Sequence, residues 1–207
     1  MNKKIIKALT IGLALVAVGL SYWLLRIINQ PIEFEKIKSD RYAAIIERLE
    51  QIRDVQQAHL QENGKYASDF DALIAFVDTG AITLIERKDS SFMYYDKIYQ
   101  QDMNKDTVIE RVLGTQGVKE NLFEPDFDAA QLRFVPLPGK LEGKEEFNIG
   151  ASSIERNGLR IPVFEVGAPN TVIFHDLLSS DFNIFVDKDY SLKIGSLTEP
   201  KVTGNWK

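Results

Sequence analysis

Residues 8 to 25 read ALTIGLALVAVGLSYWLL, eighteen mostly apolar positions without a charge between Lys7 and Arg26. A helix of this length rises about 27 Å, close to the thickness of a bilayer's hydrocarbon core. Ala8, Leu13, Leu20, Tyr22, Trp23 and Leu25 are the expected anchor residues, with the aromatic pair at the level where interfacial side chains gather. Lys3, Lys4 and Lys7 precede the run, and short basic flanks are retained in the cytoplasm. The expected orientation is N-terminus in the cytoplasm and C-terminus in the periplasm, across a bacterial cytoplasmic membrane. The competing reading is a cleaved signal peptide. Ala17, Val18 and Gly19 are of the right size, but apolar residues continue to Leu25, whereas a signal's apolar region ends at its cleavage site.

Working outward, Pro31 lacks a donor and disfavours helical geometry at Gln30, so residues 29–38 are expected as a linker that breaks the rod. From Ser39 the pattern turns helical. Tyr42, Ile45, Ile46, Leu49, Ile52 and Val55 recur at helical spacing while charged residues fill the other side. Ser39 or Asp40 is the expected cap and Asn63-Gly64 the stop. Ser68 with Asp71 opens a short second helix that Gly80 ends, completing a helical unit over 39–80.

Beyond it the fold is expected to be α+β, with a mostly antiparallel, β-rich domain over 81–197 and a tail over 198–207. Strands are expected at 81–86, 91–96, 107–113, 131–137, 146–149, 153–156, 159–166, 171–175, 182–186 and 191–194, from alternating or β-branched runs between turn residues. Asn157-Gly158 marks a hairpin over 151–166, and Asp187 to Asp189 a second reversal. Gly114 to Asp128 reads as a long irregular connection.

Charge narrows the partners. The formal charge is -5 over 207 residues, but residues 1–28 hold four basic groups and no acid, which leaves about -9 beyond them. That balance repels phosphate backbones, so nucleic acid is not an expected partner. The absence of cysteine removes disulfides, thiolate metal sites, cysteine nucleophiles and lipoprotein acylation.

Catalytic signals are sparse, and no cofactor or metal is expected. His59 and His175 lie outside any zinc spacing, and His175-Asp176 near Ser179 lacks a nucleophile elbow. Glu124, Asp126 and Asp128 alternate without the glycine turn of a calcium loop. Aromatic residues carry more. Phe92, Tyr94, Tyr95 and Tyr99 put large side chains on both sides of one strand region, as a doubly buried strand or an interface requires. Tyr94, Tyr95, Tyr99 and the near-terminal Trp206 are the candidate interface residues.

Asn63, Gly64, Tyr66, Asp69 and Leu73 follow a long amphipathic helix in the order found in type IV pilins and type II secretion pseudopilins. Residues 41–77 resemble that region. No processing glycine of that family precedes Ala8, and the apolar run contains no acid. The layout is also similar to single-pass envelope proteins of Bacteroidota, a likeness that implies a location and no activity. The anchor, the sparse catalytic signals and the resemblance of residues 41–77 together lead to the expectation of a non-catalytic, membrane-anchored structural or accessory subunit of an envelope assembly for secretion, translocation or motility. Its expected partners are the lipid bilayer, other envelope membrane proteins and a further copy of itself. The alternative is a membrane-tethered periplasmic module that binds a peptide, sugar or lipid.

Overall fold

One helix, α1, runs from Lys3 to Asn63 and joins the apolar N-terminal run to the core of the folded domain. The computed structural model describes residues 3–98, 100–139 and 143–206. Pro31 lies inside α1, so the expected linker at 29–38 is helical and neither Ser39 nor Asp40 caps a helix start. The reason is tertiary. An internal proline costs a helix about 3 kcal/mol, and the contacts on its two sides offset this. N-terminal to it Arg26 pairs with Asp181 at 2.5 Å. C-terminal to it Phe34 is buried, with ring centroids 5.4 Å from Phe174, 6.4 Å from Phe182 and 5.8 Å from Phe185. Both halves of the helix therefore dock on the same 181–185 segment.

Further along α1 the predicted stripe faces the core. Ile45, Leu49, Ile52 and Val55 are fully buried, while Tyr42 and Ile46 pack at its margin. The helix stops as expected at Asn63, where Gly64 takes φ 70° and donates to the Leu60 carbonyl at 2.8 Å. Gln56 is also fully buried. Its amide closes a reciprocal pair with Ala67, Nε2 to the carbonyl at 2.9 Å and the Ala67 N–H to Oε1 at 2.8 Å, which pins the turn after α1. The short second helix, α2, spans Phe70–Thr79. Its cap is Asp69, one residue after the expected Ser68, and it accepts from the Ala72 N–H at 2.8 Å, with Ser68 donating to the same carboxylate. Phe70, Leu73 and Val77 bury its inner face.

Two separate antiparallel sheets follow. Among the described residues β1 (Ala81–Asp96) pairs only with β2 (Gln101–Gly117), and α3 (Val118–Leu122) turns the chain back to the body. β3 (Asn148–Arg156), β4 (Leu159–Pro169) and β5 (Ser191–Gly195) form the second sheet with β4 central. The β3–β4 turn is the predicted Asn157-Gly158, with φ of 53° and 76°, the double positive φ of a primed turn. Phe164, Val166 and Ala168 of β4 share a face with Leu192 and Ile194 of β5, and all five are buried in the common core with α1 and α2. The opposite face carries the Lys193–Glu165 pair at 2.9 Å.

Several expected strands are otherwise. The two runs at 81–86 and 91–96 are one strand, and the segment at 107–113 belongs to the longer β2, which with α3 also absorbs the start of the expected irregular connection. Residues 131–137 begin in a 3-10 turn (Ala129–Arg133) and keep only a single bridge, Phe134 with Glu146. Residues 171–175 fall in α4 (Asn170–Ile173) and the start of a 3-10 turn (His175–Leu177), and 182–186 fall in a third such turn (Asp181–Phe185) and the residue after it. Short apolar runs fit strand or helix equally by periodicity. Here packing decides, because residues three apart eclipse in a 3-10 turn and so Phe182 and Phe185 both reach Phe34.

The expected C-terminal tail is also part of the fold. Gly204 bridges Ile194, the Asn205 N–H donates to the Lys193 carbonyl at 3.0 Å, and the Asn205 amide donates to the Ser191 carbonyl at 2.7 Å.

Candidate protein-interaction site

The β1–β2 pair is a ribbon rooted at one end. At the root Ile82 is buried, the Thr83 N–H donates to Glu62 of α1 at 2.8 Å, and the Val118 N–H donates to the Gly80 carbonyl at 3.1 Å. A bulge between Leu84 and Ile85 then shifts the register, and pairing continues without further interruption to Asp96 and Gln101. At about 3.3 Å per residue the part beyond the bulge reaches about 40 Å. Among the described residues no third strand joins either edge.

Its side chains are unlike those of a solvated hairpin. Met93 is 74% exposed, Tyr95 59% and Phe92 50%, with Ile85, Val108, Ile109, Val112 and Leu113 also exposed. Isolated two-stranded hairpins are marginal in water, and soluble monomers rarely concentrate large apolar groups on one exposed element. The region read from sequence as either core or interface thus lies outside the core. Sequence reasoning missed the β2 contributors, Val108, Ile109 and Val112, because β-branched runs interleaved with charge read as an ordinary half-buried strand. The signal that would have found them is apolar residues on both faces of both strands.

The four candidate interface residues do not come together. Tyr94 and Tyr95 lie on opposite faces toward the far end of the ribbon, and Tyr99 falls outside the described residues. Trp206 is partly buried against the core, its ring over Gly204, so it closes the domain's own C-terminal end. Of the anchor residues, Ala8 lies in the helix, and Leu13, Leu20, Tyr22, Trp23 and Leu25 are exposed on it. An 18-residue window of α1 reaches a mean hydropathy of 2.0 with none of it buried, long and apolar enough to cross a membrane.

The titratable groups outside the ribbon are dispersed. Asp176 is held by Arg41, whose guanidinium lowers its carboxyl below the usual range. His59 is buried, donates from Nδ1 to the Lys65 carbonyl at 2.7 Å and meets the Phe76 ring edge-on. Glu124, Asp126 and Asp128 are exposed, and Asp128 caps the Ala129–Arg133 turn. Among the described residues no three His, Cys, Asp or Glu side chains are grouped to hold a metal. An open concavity of about 720 Å³ lies between the α1–α2 turn and the β3–β4 hairpin, with His59, Tyr66, Ser153 and Arg160 on its wall. Burial raises the Tyr66 phenol above its ordinary value. Compared with known protein families, curated proteins and solved structures, the chain matches none.

Proposed function

We propose that this chain is a single-pass, membrane-anchored and non-catalytic subunit of a bacterial cell-envelope assembly, and that it works through protein–protein contacts. The observation that carries the reading is the ribbon, which exposes large apolar side chains on both faces while the body behind it is well packed. Continuity of α1 supports an anchor over a signal, because a cleaved leader does not share a helix with the core of the mature domain. In this reading the helix crosses the cytoplasmic membrane with its N-terminus inside. Arg26 ends the apolar run and pairs with Asp181, which holds the periplasmic domain close to the bilayer. The resemblance of residues 41–77 to pilin-like proteins agrees with an assembly of secretion, translocation or motility type.

A second reading, a tethered module that binds a peptide, sugar or lipid, draws on the concavity beside Tyr66 and Arg160. Its open shape is a poor match to sites that enclose most of a small ligand.

Mild detergent extraction of the full chain, native-gel sizing and mass spectrometry of what travels with it test the proposal. A chain with residues 86–111 replaced by a two-residue Asn-Gly turn provides the comparison. The wild type is expected in a larger particle, and the shortened chain is expected to fold and run alone. A lone wild-type monomer under the mildest conditions sinks the assembly reading.

A further inference from the structure

Between Ile85 and Tyr95 the two faces of the ribbon carry opposite charge. Beyond the bulge, residues pair directly, Ile85 with Val112 through to Tyr95 with Asp102. Directly paired residues share a face and neighbours along a strand alternate. One face between Ile85 and Tyr95 therefore holds Arg87, Asp89, Asp102, Asp106 and Glu110. Arg87 and Glu110 form an ion pair at 2.9 Å, so three aspartates set the sign, among Met93, Tyr95 and Val108. The other face holds Glu86 opposite Arg111, with Lys88 and Lys105 in excess, among Phe92, Met103 and Ile109. Phe92 and Tyr94 lie on this second face with ring centroids 6.5 Å apart.

From this segregation we infer that the ribbon stacks on the ribbon of a second copy of the same chain, acidic face on basic face. The inference rests on reading the chain as a membrane-held contact subunit, and it names the partner. Apolar groups on both faces supply the area, and the charges supply the choice of face. Stacking two like faces would set aspartates against aspartates or lysines against lysines, so a symmetric face-to-face dimer is disfavoured. An acidic-on-basic contact leaves each copy one unused face. It is heterologous and extends into an open row rather than closing as a pair. One ribbon face offers about 400 Å², about half of what a stable interface buries per partner. Membrane tethering raises the effective concentration of neighbouring ribbons, which makes so small a contact sufficient.

Because the chain has no cysteine, single reporters are clean. Full-length Met93→Cys (acidic face) and Phe92→Cys (basic face) chains are reconstituted in liposomes, separately and mixed, and treated with a short bis-maleimide. The mixture is expected to cross-link about tenfold better than either alone. Asp89→Lys with Asp106→Lys, or Lys88→Glu with Lys105→Glu, each abolishes the cross-link when every copy carries it. Mixing the two reversed chains restores it, since each reversed face then meets its complement. Circular dichroism and the thermal midpoint stay unchanged in all of them.

Equal cross-linking by Met93→Cys alone, or by the reversed chains unmixed, overturns the stacking of unlike faces. In native membranes, ribbon cross-links to a different protein with none between copies overturn this inference and leave the proposed function standing. No ribbon cross-link of any kind overturns both.

Discussion

Arg41 on α1 and Asp176 in the His175–Leu177 turn, 135 positions apart in sequence, are joined by two hydrogen bonds of 2.7 Å, Nη1 to Oδ1 and Nη2 to Oδ2. Nη1 also donates to the Ile173 carbonyl at 2.7 Å, and the guanidinium lies 5.6 Å from the Phe174 ring centroid. One side chain thus fixes the end of α4 and the turn after it against the long helix, in a bidentate geometry that a lysine does not reproduce.

The pair makes stability depend on pH in a defined direction. The folded Asp176 carboxyl titrates below its ordinary value, mainly because Arg41 hydrogen-bonds it. Its contribution is complete above about pH 4 and is lost as pH falls through the lowered value. Asp176→Asn is expected to lose about 1–2 kcal/mol at neutral pH. Urea melts should show the gap to wild type closing as pH falls below the ordinary carboxyl range; a gap that widens in acid would contradict the assignment.

Phe34→Ala removes the ring that meets Phe174, Phe182 and Phe185. A loss of about 3–5 kcal/mol is expected. Thermal unfolding followed by circular dichroism measures it, and a loss below 1 kcal/mol would show that the helix does not need this dock beyond Pro31.

Pro31→Ala restores the N–H that α1 lacks at this position and is expected to raise stability by about 1–3 kcal/mol. A lower melting temperature would mean instead that the domain requires the proline's local geometry.

Gln56→Ala leaves the buried Ala67 N–H and carbonyl without their partners. Each group stranded in this way costs about 1–3 kcal/mol. Hydrogen exchange at the Ala67 amide should accelerate with the loss of stability, and unchanged exchange would remove Gln56 from its role in the turn.

Tyr95→Ala and Trp206→Ala separate the two surfaces. Tyr95 is exposed on the ribbon, so its truncation is expected within about 0.5 kcal/mol of wild type while association falls. Trp206 packs on the core, and its truncation is expected to destabilise the domain. The reverse pattern in chemical denaturation would exchange the roles of these residues.

Much of the helical half was legible. The apolar run, the stripe from Tyr42 to Val55, the Asn63-Gly64 stop and the Asn157-Gly158 hairpin each depend on local rules, namely residue period, capping and positive φ. The α+β class follows from their sum. The part of the site least legible was its exposure. Met93, Tyr94 and Tyr95 read as well for a buried strand as for an interface, because a lone strand's sequence does not record how many neighbours its sheet has. Trp206 was ambiguous for a related reason, since its packing depends on the pairing of Asn205 with Lys193 of β5.

By itself the sequence determined the anchor-length apolar run, the amphipathic helix behind it and the chain's acidic, cysteine-free character. Tertiary structure alone decided that Pro31 stays within a helix, that residues 181–185 form a turn and not a strand, and that β1 and β2 stand apart as a two-sided ribbon. The division has one physical cause. Capping, periodicity and turn chemistry act over a few residues and are written locally, whereas the burial of Phe34 against Phe174 and the pairing of β1 with β2 away from the second sheet depend on segments that meet only after the chain has folded.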